Sequence, residues 1–151
     1  MGLINVDYGV TIYGDTVLLR VDEVEDLEKI KAVFVKLANN NISRFYLSDI
    51  ENVEFNNISD IVMTNMSKFI FIKKKRNIIY WEQSETDWYN CEGLIEGLIE
   101  GAKEKHGGHQ YFNNESGIQI EISQNETFAG SNSTTITSTA ARRRSSSRTE
   151  P

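Results

Sequence analysis

Cysteine occurs once in 151 residues, at Cys91, and the only proline is Pro151. One cysteine excludes an intramolecular disulfide and fits a reducing compartment. No apolar run approaches the roughly 18 residues a bilayer-spanning helix needs. The opening Met1-Gly2-Leu3-Ile4-Asn5-Val6 lacks a basic start followed by an apolar stretch, so no signal peptide is expected. Val6 stands where a myristoylation signal would carry Ser or Thr. The phosphate-cradling glycine motifs and the Gly-x-Ser-x-Gly nucleophile elbow are missing as well, which leaves no reaction to name. The expectation is a cytoplasmic, non-enzymatic protein without a cofactor.

Such a length supports one hydrophobic core. The whole-chain charge of −6 hides a division. Residues up to Gly130 carry 12 Lys and Arg against 21 Asp and Glu, whereas the rest carries 4 Arg and 1 Glu. Residues 1–129 therefore read as one strongly acidic domain. Residues 130–151, rich in Ser, Thr and Arg, have too little apolar content to offset the entropy of ordering and read as a disordered tail outside the fold. An acidic surface disfavours nucleic acid and anionic membrane as partners and suits a basic protein, whose association it would speed.

Thr16 to Val21 follows a β-rich run at Val10 to Tyr13, with Gly14-Asp15 between them as a hairpin signal. Asp22 precedes Glu25 at the spacing of a capping box. Leu27, Ile30, Val33, Phe34 and Leu37 then recur at helical intervals up to Asn39-Asn40-Asn41. Phe45-Tyr46-Leu47 is a strand candidate, residues 48–60 read mostly as loop, and Ile61-Val62-Met63 is ambiguous. Phe69 to Ile72 and Ile78 to Trp81, apolar on both faces, form a hairpin around Lys73-Lys74-Lys75-Arg76-Asn77. A second helix is expected from Ser84 or Thr86 to about Lys105. His109 to Phe112 and Ile118 to Ile122 close the chain as a hairpin. The fold class expected is α+β, a mostly antiparallel sheet of about six strands with two helices packed on it.

Within the second helix, Glu92-Gly93-Leu94-Ile95 repeats as Glu96-Gly97-Leu98-Ile99 and continues into Glu100-Gly101-Ala102. At 100° per residue, Trp88, Cys91, Leu94, Ile95, Leu98 and Ile99 share one face. Glu92, Glu96, Glu100 and Glu104 then line the opposite face with Tyr89, and the glycines lie between. Interior glycines each cost about 0.5–1 kcal/mol relative to Ala, and carboxylates four apart repel. Local cost without local compensation marks a candidate functional face, here Tyr89, Glu92, Glu96 and Glu100. The competing reading is an ordinary solvated face.

Other groups are weighed likewise. His106 and His109 have a His-x-x-His spacing with Glu104 and Cys91 nearby, but zinc needs three or four converging ligands and the intervening Gly107-Gly108 breaks the helix; no metal is expected. Cys91 on the apolar face reads as an inert thiol. Lys73 to Arg76 could meet phosphate or simply keep an apolar hairpin soluble. A short acidic α+β domain with a helix ending in Gly107-Gly108-His109-Gln110-Tyr111-Phe112, followed by Gly117-Ile118-Gln119-Ile120-Glu121-Ile122, resembles the bacterial immunity proteins that neutralise secreted toxins. That resemblance implies a domain that binds and blocks a basic toxin, often a nuclease. Two alternatives stay open. One is a ligand-binding or enzymatic domain with a pocket near Trp81, Trp88 and His109. The other is a structural protein that self-associates, a homodimer for example, through its apolar hairpin.

Overall fold

Alternating residues at the start of the chain are realised as a long hairpin. The computed structural model describes residues 2–12, 14–112 and 117–124. In it β1 (Ile4–Thr11) pairs antiparallel with β2 (Gly14–Val21), Ile4 opposite Val21 and Thr11 opposite Gly14. The turn therefore falls ahead of Gly14 rather than at Gly14-Asp15, and the first strand reaches back to Ile4. Ile4, Val6, Val17, Leu19 and Val21 all point into the core.

Helix α1 (Val24–Ala38) follows, with Glu23 at its N-cap and no side-chain cap. The capping box expected from Asp22 and Glu25 is not formed. Asp22 is instead tied to the last strand, its carbonyl accepting a 2.7 Å hydrogen bond from the Gln124 amide. Leu27, Ile30, Val33, Phe34 and Leu37 are buried, as their spacing requires. At the far end the Asn65 side chain donates to the Leu37 carbonyl at 2.9 Å and to the Ile42 carbonyl at 3.0 Å, satisfying a helix-end acceptor.

Seven more strands complete two sheets: β3 (Arg44–Tyr46), β4 (Val53–Asn56), β5 (Asp60–Thr64), β6 (Phe71–Lys75), β7 (Ile78–Glu82), β8 (Gly108–Tyr111) and β9 (Gln119–Gln124). A 3-10 turn at Leu47–Asp49 links β3 to β4. The first sheet has five strands in the order β4-β1-β2-β9-β8, and the second has four in the order β3-β5-β7-β6. β1–β4, β2–β9 and β5–β7 are parallel pairs. The fold is thus α+β with two helices, but its sheets are mixed rather than mostly antiparallel. Pairing strands with their sequence neighbours misses these crossovers. β7 shows why one is favoured: Ile79 and Trp81 are buried and Tyr80 half-buried. A strand apolar on both faces is better placed inside a sheet than at its edge. β6 is left outside it.

Helix α2 (Glu85–Lys103) opens with a capping box, the Ser84 hydroxyl accepting from the Asp87 amide at 3.1 Å while the Ser84 amide donates to the Asp87 carboxylate at 3.2 Å. Trp88 anchors this helix. Its ring lies 4.8 Å from Trp81 and 5.5 Å from Phe34, and its indole N–H donates to the Thr64 carbonyl at 2.8 Å. Leu19 and Ile122 of the first sheet, Ile30 and Phe34 of α1, and Ile61, Met63 and Trp81 of the second surround a common apolar void. Both sheets and α1 therefore share one core. No helix among the described residues is long and apolar enough to cross a membrane. The tail expected over 130–151 lies outside the described residues.

Candidate functional site

α2 rests on α1 along one flank and on β8 along another, and this sets which residues face outward. Trp88, Cys91, Ile95, Leu98 and Ile99 are buried. Directly opposite stand Tyr89, Asn90, Gly93, Gly97 and Glu100, all exposed. Among the described residues, a methyl group built on Gly93 or Gly97 would meet nothing within 4 Å beyond its own turn of helix. Both glycines thus occupy the outermost row, where 100° per residue from the buried side chains also places them, and not the borders expected from the sequence. Leu94, expected on the buried face, is more than a third exposed.

The four sequence-selected residues do not form one free stripe. Tyr89 is 65% exposed and Glu100 is exposed, but Glu92 and Glu96 are half-buried on the flank toward α1. Glu96 accepts a 2.6 Å charge-assisted hydrogen bond from Lys31 of α1. That ammonium, and after it a hydrogen bond between the Glu96 and Glu100 carboxyl groups, holds the Glu96 carboxyl below the usual carboxylate range. The same contact raises the pKa of Lys31, assisted by the fields of Glu92 and Glu28. Lys103 reaches back to Glu28 at 3.8 Å, so the carboxylates nearest α1 serve the helix–helix seam. The outward face is Tyr89, Asn90, Gly93, Gly97 and Glu100, bordered by Leu94. Asn90 was missed because the outward face was sought along the row of glutamates, and Leu94 because every apolar residue was assigned to the buried face whatever its neighbours.

Trp81, Trp88 and His109 do not converge on a pocket. Trp81 and Trp88 lie in an aromatic cluster with Phe34 and Phe112. The Trp81 indole donates to Gln83 Oε1 at 2.9 Å. His109 lies opposite Ser123 on the outer side of the β8–β9 pair, exposed and edge-on to Tyr111. The void behind Trp81 measures about 10 Å³ and presents no polar lining, so it is a packing defect too small for a substrate. Among the described residues no three His, Cys, Asp or Glu side chains cluster as metal ligands. Cys91 is buried, accepts a 3.2 Å hydrogen bond from Gln83, and has its thiol pushed up to about 12 by burial. A thiol so held is a poor nucleophile.

The β6–β7 hairpin closes at Arg76-Asn77, with Lys75 opposite Ile78 and Arg76 at a φ of 58°. β6 is an edge strand on which only Ile72 is buried. Met66, Phe69, Ile70 and Phe71 leave the preceding loop and the strand start apolar and exposed. Compared with protein-family models, curated proteins and solved structures, the chain matches no family model, no curated protein and no solved structure.

Proposed function

We propose that this chain is a non-enzymatic protein-binding domain that uses the outer face of α2 to cover a basic partner, in the manner of an immunity-type inhibitor of a toxin or nuclease. The observation that carries the reading is the pair Gly93 and Gly97 in the middle of an exposed helix face with open space above them. Among the described residues no neighbour requires a glycine there, and each costs about 0.5–1 kcal/mol of helix stability relative to Ala. Exposed backbone beside Tyr89 lets a partner surface approach closely, and an exposed tyrosine is a frequent binding anchor. Glu100 on the same face, with the acidic charge of the domain, favours a partner rich in Lys and Arg. Steering would come from the field of the whole domain and specificity from the shape of this face.

The test uses the purified domain as bait against the basic proteins of its source cell, followed by calorimetry on the protein retained. Tyr89→Ala is expected to weaken that complex by about tenfold or more, the usual scale for an aromatic anchor. Gly97→Arg should abolish it by filling the approach, while circular dichroism stays native. Unchanged affinity in both variants would remove α2 from the interface and return its outer face to solvent.

A further inference from the structure

The hairpin that follows the Asp60–Thr64 strand is a basic, apolar island in an acidic protein. Between Ile61 and Trp81 there is no Asp or Glu, while Lys68, Lys73, Lys74, Lys75 and Arg76 fall within nine positions. The same segment holds three of the most exposed apolar side chains, Phe69 at 78%, Met66 at 73% and Phe71 at 49%. These features border β6, an edge strand of the second sheet whose residues other than Ile72 are exposed. In an antiparallel ladder alternate residues bond across, and a two-residue loop makes the closing pair, here Lys75 and Ile78, a bonded one. Lys73 and Phe71 then bond to β7 in turn, so Ile72 and Lys74 direct their N–H and C=O groups to the open side. Phe71, Lys73 and Lys75 present their side chains on the outer face of the sheet, with the Lys73 ammonium 4.7 Å from the centre of the Phe71 ring. Beside them on that face lie Tyr80 and Val62, the latter buried yet outside the main core.

We infer that β6 is a docking edge for an extended acidic peptide, which adds to the sheet as a fifth strand. Main-chain groups of Ile72 and Lys74 would supply the pairing. Lys73 and Lys75 would meet carboxylates two residues apart, and Phe71, on the same face, would take an apolar side chain a further two residues along. A second copy of the chain fits less well, because two β6 edges laid together would bring like-charged lysines into register. Single-stranded nucleic acid fits less well too, since Glu82 stands opposite Phe71 on the face where bases would stack. The edge lies on a different element from the α2 face and takes a partner of opposite charge, so the two assignments can fail separately.

The experiment is a fluorescence-anisotropy titration with a labelled synthetic peptide in which Glu, Glu and Phe stand at successive alternate positions, on one face, with Val between them. The wild-type domain should bind it, and the same peptide with Lys in place of Glu should not bind. Lys73→Glu with Lys75→Glu should weaken binding at least tenfold. Lys74→Pro should do the same while the melting temperature moves by only a few degrees, because proline is tolerated where a strand N–H faces solvent. Failure of the wild-type domain to bind the acidic peptide, or equal binding by Lys74→Pro, would overturn the assignment. So would tighter binding of a single-stranded oligonucleotide, or a dimer in sedimentation that Phe71→Glu disperses.

Discussion

Replacing Trp88 with Ala is expected to cost about 3–5 kcal/mol of unfolding free energy. Trp88 is wholly buried and joins three elements at once. Its ring packs on Phe34 of α1 and Trp81 of β7, and its N–H satisfies the Thr64 carbonyl at the end of β5. Truncation would open a cavity bounded by a helix and a sheet that cannot both collapse into it, and would remove one of the two hydrogen bonds to the Thr64 carbonyl, the other coming from the Gln83 amide at 3.2 Å. Against a typical domain stability of about 5–15 kcal/mol, that loss is a large fraction of the margin. Urea denaturation followed by far-ultraviolet circular dichroism measures it. Trp88→Phe keeps most of the ring and drops the hydrogen bond, so it should lose distinctly less. Equal losses would mean that the 2.8 Å bond, and not the packing, holds α2 to the sheet.

Alkaline pH should destabilise the domain through Cys91. Burial raises its thiol to about 12, while the unfolded chain ionises near the ordinary cysteine value of about 8.5. Between those values the folded state holds a proton that the unfolded state releases. Stability is therefore fully present below about pH 8.5 and declines as pH rises toward 12, by on the order of 1.4 kcal/mol per pH unit. By pH 11 the loss is on the order of 3 kcal/mol. Tyr8 is also raised to about 12, by partial burial and then by its hydrogen bond to Asp15, and adds to the same trend from pH 10 upward. Cys91→Ala should flatten the decline between pH 8.5 and 10, where Tyr8 has not begun to titrate. An equally steep decline in that variant would show that another group controls the alkaline limb.

How far the sequence foretold the structure depends on how local each signal was. Both helices and the burial of Leu27, Ile30, Phe34, Trp88, Ile95 and Ile99 follow from spacing alone, because amphipathic periodicity reports one buried direction. Gly107-Gly108 after α2 and the alternation of Gln119 to Ile122 are equally local. What failed was long-range. β4 reads as loop because Val53-Glu54-Phe55 sits among asparagines, and its strand character comes from pairing parallel to β1. Two sheets replaced one because β7 and β9 pair with strands well upstream, which no turn signal encodes. On α2 the charges were legible but their use was not. Glu96 belongs to the seam because Lys31 lies on the facing helix, a fact invisible until α1 docks. With Glu96 drawn to Lys31, the free face centres on Gly93 and Gly97.

The central claim is that those two glycines serve something outside the fold, and thermal unfolding of a glycine-to-alanine series tests it without a partner in hand. Gly93→Ala and Gly97→Ala add methyl groups that, among the described residues, meet no atom within 4 Å beyond their own turn of helix. Together they should stabilise the domain by about 1–2 kcal/mol, which raises the melting temperature by several degrees. Gly101→Ala is the contrast, because its methyl group would press on the His106 carbonyl oxygen at 3.2 Å and should give little or no gain. A rise for the first pair and none for the third is the expected pattern. A melting temperature that falls on substituting Gly93 and Gly97 would contradict the account, since the fold itself would then require them.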